Sequence, residues 1–205
     1  MATPEGNQEI IFMAMYGIND QKYPSRQPDG KTKKEYNLWC AMLHRCYSKR
    51  FHSQDNNYVY IGCTASETFR NYSLFYEWCQ TQVGFGEEGF CLDKDILSNG
   101  VKEYSEQNCV FVPQEINKLL NKHKIHRGEY PIGVSRHSNK KLMAGFSGNG
   151  IRNNCLGYFD TPEEAFAAYK TAKEQYVKTV AEKWKHKIDP RVYQAMLNYQ
   201  VNVTD

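Results

Sequence analysis

Residues 90–122 read FCLDKDILSNGVKEYSEQNCVFVPQEINKLLNK. Two short apolar runs, Phe90 to Leu97 and Cys109 to Val112, flank a polar loop, and Pro113 then opens a helical stretch. Runs of this length bounded by Gly, Asn and Ser are strand signals, and proline is favoured where a helix begins. The segment therefore predicts the order strand, loop, strand, helix. Asp93 falls in the first run, Asn108 just before the second and Asn117 on the helix.

Upstream, residues 1–30 are rich in Gly, Pro, Asn, Asp and Gln, and YGINDQKYPSRQPDG carries turn signals without a period, so this part reads as an extended arm. Between Lys33 and Ser48 the residues Tyr36, Trp39, Met42, Leu43, Cys46 and Tyr47 recur at intervals of three and four, which predicts a first helix. YVYIGCTAS suggests a short strand. Phe69, Tyr72, Phe75, Tyr76 and Cys79 mark a second helix capped near Ser66 and broken by Gly84, Gly86 and Gly89.

Downstream, PIGVSRH, KLMAGFSG and IRNNCLGYF are three strand-like pieces separated by Ser-Asn and Gly-Asn-Gly turns, the second of them a hairpin signal. Asp160 or Thr161 caps a helix that starts at Pro162 and carries Ala165, Ala168, Tyr169, Ala172 and Tyr176 on one face. This predicts a three-stranded antiparallel sheet packed on one helix. WKHKIDPRVYQAML adds a short C-terminal helix. The fold class expected is α+β, divided into an arm over 1–30, a hairpin domain over 31–121, a basic linker over 122–129, the sheet domain over 130–183 and a tail over 184–205.

The composition, 40% hydrophobic and 24% charged over 205 residues, is that of a globular protein. No apolar run approaches the ~18 to 20 residues a spanning helix needs, and the first residues lack the basic start and cleavage site of a secretory signal, so a cytoplasmic protein is expected. The seven cysteines are scattered without a close pair and read as reduced thiols; a structural zinc would require Cys46, Cys63, Cys91 and Cys109 to converge. The net charge of +3 is too small to identify a nucleic-acid binder. Its distribution says more. Lys118, Lys122, Lys124, Arg127, Arg136, Lys140 and Lys141 fall in one stretch with Glu129 as its only acid, a pattern able to follow a phosphate backbone.

A metal-dependent nuclease needs oxygen ligands that hold a hard divalent ion against a phosphate and a group that prepares the attacking water. CLDKDIL followed by SEQNCVFVPQEIN resembles the ββα-metal motif of phage HNH homing endonucleases, and YNLWCAMLHRCYS with YIGCTASETFRNYSLFYEW is similar to the helical region of phage proteins that carry it. The resemblance covers roughly residues 12–120. It implies that Asp93 and Asn117 hold one divalent ion, Mg or Mn, and that Asn108 steadies the loop. Lys94 stands where the family has its general-base histidine. A free lysine has a pKa of about 10.4 and accepts no proton at neutral pH unless that value falls by several units. Protonated, it would instead steady charge on the phosphate. Asp95 is open to either of two roles, replacing Asp93 as ligand or bracing Lys94, and His123 and His126 lie beyond the expected helix face.

Residues 130–181 resemble the AP2 domain, most tellingly in GVSR, in Ala144 between Leu142 and Phe146, and in LGYFDTPEEAFAAY. That resemblance implies that the open face of the sheet enters the major groove of double-stranded DNA. Alternation along the strands puts Leu142, Ala144 and Phe146 toward the helix, and Met143, Gly145 and Ser147 toward DNA with Ser135, His137 and Asn153. Arg136, Lys140, Lys141 and Arg152, at strand ends and turns, are expected on phosphates. The functions implied are a metal-dependent endonuclease acting on double-stranded DNA or, with Lys94 disabling the chemistry, a DNA-binding regulator or phage accessory protein on the same scaffold.

Overall fold

The computed structural model describes residues 16–54, 57–121, 129–138, 141–148 and 151–203; the side chains of residues 147–148 and 151–154 fall outside that description. The chain divides into two compact units, Met1–Gln114 and Glu115–Asp205. The architecture is mixed α+β. Helices and small sheets make up the first unit, and a three-stranded antiparallel sheet on a long helix makes up much of the second.

In the first unit, α1 (Lys34–Tyr47) buries Trp39, Met42, Leu43 and Cys46 along one face, as their spacing requires. The Trp39 indole donates 2.8 Å to the carbonyl of Phe69, so its only polar group is satisfied inside the core. A short α2 (Lys49–His52) follows, capped by the Ser48 hydroxyl, and residues Asn57–Tyr60 form a 3-10 turn before β1 (Thr64–Ala65). The single helix expected after Ser66 is two, α3 (Glu67–Arg70) and α4 (Tyr72–Thr81). Asn71 is extended between them, and its side chain caps the second. On either side, Ile18 pairs with the backbone of Arg70 and Tyr72, which draws the chain out of helical geometry at that point.

Strand β2 (Phe90–Asp93) pairs antiparallel with β4 (Val110–Pro113), with Asp93 opposite Val110. Between them β3 (Glu103–Tyr104) pairs parallel with β1, a pairing that two-residue strands cannot announce by alternation. The first strand ends at Asp93, where the carboxylate takes the next backbone N–H groups into a turn.

The helix after the hairpin, α5 (Gln114–Leu120), spans the division between the units. Within the second unit Glu115 accepts from Lys183 at 2.6 Å and from the Trp184 indole at 2.7 Å, and the Leu119 carbonyl accepts from Lys173 at 2.7 Å. Residues 122–128, most of the expected linker, lie outside the described residues.

Strands β5 (Val134–Arg136), β6 (Leu142–Gly148) and β7 (Ile151–Phe159) form the sheet in that order, antiparallel throughout. The long helix α6 (Pro162–Trp184) is capped by Thr161, and α7 (Pro190–Leu197) by Asp189. Leu142, Ala144 and Ala165 are buried together, with Val134, Leu156 and Phe159 around them, while the Phe146 ring meets that of Tyr176 at 5.2 Å. Gly133 has a positive φ, and a Cβ placed there would lie 2.0 Å from the Tyr169 ring, so the sheet approaches the helix too closely at this point for any side chain. Among the described residues no helix is long and apolar enough to cross a membrane.

Candidate functional site

The hairpin site is built around the last residue of β2. Asp93 is 8% exposed, and its Oδ1 accepts from the backbone N–H groups of Asp95 at 2.8 Å and Ile96 at 2.9 Å. Among the described residues no hydrogen bond engages its second oxygen, which leaves Oδ2 as a donor for a ligand. Burial pushes the Asp93 carboxyl above the ordinary aspartate range, and the bonds from Ile96 and Asp95 pull against that without cancelling it. A buried carboxyl held this way gains from a nearby cation.

Lys94 is 6% exposed, its ammonium bonded to the Asp95 carboxylate and placed 5.6 Å from the centre of the Tyr104 ring. Burial alone would pull this ammonium toward lower pKa; the Asp95 carboxylate outweighs it, with Cys63 and Asp93 adding to the effect, and the net shift is upward. As it stands in this site, Lys94 holds its proton. Of the two roles open to Asp95, its contact is the brace on Lys94.

Asn108 donates 3.2 Å to the Glu103 carbonyl and so ties the loop back on itself ahead of β4. Asn117 is half-buried on α5, in the second unit. Asp93 and Lys94 are therefore adjacent on one hairpin with Asn108 in its loop, while Asn117 is carried by the helix that leaves it.

Asp93 offers a carboxylate oxygen, a ligand type that suits a hard cation. All seven cysteines are free, and among the described residues no three or more His, Cys, Asp or Glu side chains gather as a metal cluster, so the four cysteines considered for zinc do not converge. Burial raises the thiol of Cys46 to about 12. His123 and His126 lie outside the described residues.

On the sheet, Ser135, Arg136 and His137 are exposed along β5 and its end. Lys141 pairs with Asp160 at 3.4 Å, both well exposed, a contact weak enough to yield to a phosphate. Ser147, Arg152 and Asn153 lie on β6 and β7 with side chains outside the described set, and Lys140 is outside it altogether.

One open-face residue was not foreseen. Tyr158 is 51% exposed, sits opposite Met143, and its ring lies 4.6 Å from that of His137. An irregularity in the β6–β7 register, with Gly157 at φ 147°, puts Leu156 and Phe159 on the same side and leaves Tyr158 on the other. Strict alternation cannot anticipate that. The glycine in LGYF was the available signal. A shallow depression lined by Gly133, Val134, Ser135, Met143 and Gly145 lies beside these groups.

Compared with family models, curated proteins and solved structures, the chain finds no match in any of the three.

Proposed function

We propose that the protein binds double-stranded DNA through the open face of its three-stranded sheet and hydrolyses a phosphodiester bond at the hairpin with one Mg or Mn ion held by Asp93. The observation that carries this reading is the β2–β4 pairing: it ends in a buried aspartate with one oxygen fixed by backbone and the other left to bind, and a helix bearing an amide side chain follows at once. When bound, the ion supplies charge stabilisation to the phosphate oxygens and the leaving oxygen.

The chain's own residues then divide the work. Asp93 orients its second carboxylate oxygen while its first holds the turn, and Asn108 keeps the loop closed. Lys94 retains its proton and balances negative charge on the phosphate. Arg136 and Lys141 hold the DNA backbone, and the small residues Ser135 and Gly145 leave the face with few groups able to make paired contacts to base edges, so discrimination between sequences is modest.

A second reading is favoured by one contact. Lys94, bonded to Asp95, supplies no general base, so a DNA-binding regulator on a nuclease scaffold fits the same hairpin. Incubating the protein with supercoiled DNA and Mg²⁺ or Mn²⁺ separates the two. Nicking that needs metal and is absent from Asp93→Asn supports the enzyme. Salt-sensitive binding with no nicking supports the regulator.

A further inference from the structure

Within the first unit, a cationic surface lies beside the hairpin. Residues 44–62 contain Arg45, Lys49, Arg50 and two histidines against a single acid, Asp55. Lys49 and Arg50 are exposed on α2, and among the described residues neither has a carboxylate partner. Such charges are strongly hydrated, and the described residues leave them open to an external anion.

The surface is anchored rather than loose. The Phe51 ring meets that of Tyr60 at 5.8 Å, and the Arg45 guanidinium lies 5.7 Å from the Tyr60 ring. The His52 ring bonds the Arg45 carbonyl at 2.7 Å. On the other side of the same turn, the Lys102 ammonium donates to the carbonyls of Val59 and Ile61 at 3.2 and 3.1 Å. Tyr58, half exposed, adds an aromatic face.

The surface also leads to the hairpin. Arg45 lies near enough to Tyr104 to interact with it electrostatically, and the Lys94 ammonium lies 5.6 Å from the centre of the same Tyr104 ring. Lys94, Arg45, Lys49 and Arg50 all belong to this one unit, with Lys94 and Arg45 both near Tyr104.

We propose that this surface is a second DNA-backbone contact: Lys49 and Arg50 each neutralise a phosphate and guide the strand toward the hairpin, independently of the sheet. The proposal rests on the reading of DNA as the partner. A helix surface that neutralises phosphates carries no sequence information but fixes orientation, which a nuclease hairpin with a small sheet requires.

The test is the salt dependence of binding, measured with the full chain on a fluorescein-labelled duplex. Each phosphate contact contributes about 0.9 to the slope of log affinity against log salt. The double variant Lys49→Ala, Arg50→Ala should therefore bind with a slope shallower by about 1.8 while melting at the same temperature as the parent. The charge-conserving pair Lys49→Arg, Arg50→Lys should keep the parent slope. A parent slope in the alanine variant, with Arg136→Ala still weakening binding, overturns the second contact and leaves the sheet reading intact. A parent protein that binds no duplex at any salt overturns the DNA reading itself, and this inference with it.

Discussion

The Lys94 ammonium is bonded to the Asp95 carboxylate one residue away, at the point where β2 ends, and this contact keeps a buried lysine charged. Removing the anion leaves burial opposed only by the smaller effects of Cys63 and Asp93. In Asp95→Asn the Lys94 pKa should fall below that of the parent, as followed by NMR of the lysine side chain. An unchanged value would mean that Asp95 is not what holds the proton.

Placing a base at that position should speed the chemistry. A positioned general base contributes roughly a hundredfold or more to rate. Lys94→His should therefore raise metal-dependent nicking about a hundredfold in single-turnover assays near neutral pH, where imidazole is largely unprotonated. Equal rates in the two proteins would place water activation elsewhere.

Asp93 carries two roles that substitution can separate. Asparagine keeps an oxygen for the N–H groups of Asp95 and Ile96 and removes a buried charge; alanine loses both. Because folding raises the Asp93 pKa, the carboxyl favours the folded state at low pH, and that contribution is lost as pH rises through the folded value. Asp93→Asn should thus be at least as stable as the parent at neutral pH, whereas Asp93→Ala should lose about 1 kcal/mol of stability from the missing turn bonds. Denaturant melts at neutral and acidic pH decide this; a strongly destabilised Asp93→Asn would make the carboxylate structural.

The second unit carries its own titration. Burial pushes Lys173 down to about 8, although its ammonium donates to the Leu119 carbonyl. Between that value and the ordinary lysine range the unfolded chain holds a proton that the folded one has released, so stability rises with pH across this window. Below it both states are protonated and the cost of burying the charge is fully present. Lys173→Met should flatten the rise between about pH 8 and 10 in thermal melts; an unaltered rise would assign it to another group.

Gly133→Ala tests the packing of the sheet. Its Cβ would meet the Tyr169 ring in a backbone conformation that side chains disfavour, so the second unit should lose about 2 to 4 kcal/mol. Full stability would require the ring to move without cost.

Periodicity made much of this fold legible. The Trp39, Met42, Leu43 and Cys46 face, the Phe90 and Val110 strands, and the Leu142, Ala144 and Phe146 alternation all reflect which side of an element meets a core. Features set by local backbone irregularities were not legible. Asn71, flanked by the Ile18 backbone pairing, divides one helix into two, and the register shift near Gly157 turns Tyr158 outward. In the candidate site, the resemblance singled out Asp93, Lys94 and Asn108, and the protonation of Lys94 depends on its burial and on the orientation of Asp95. Neither is a property of sequence spacing.

The central proposal is that Asp93 holds one divalent ion at the hairpin. Anomalous diffraction from crystals of the full chain grown with Mn²⁺ measures this directly. The account predicts a manganese peak bonded to Asp93 Oδ2 at about 2.0 to 2.6 Å, the range for hard cations, and its loss in Asp93→Asn. No peak on Asp93, or one that persists in that variant, would contradict it.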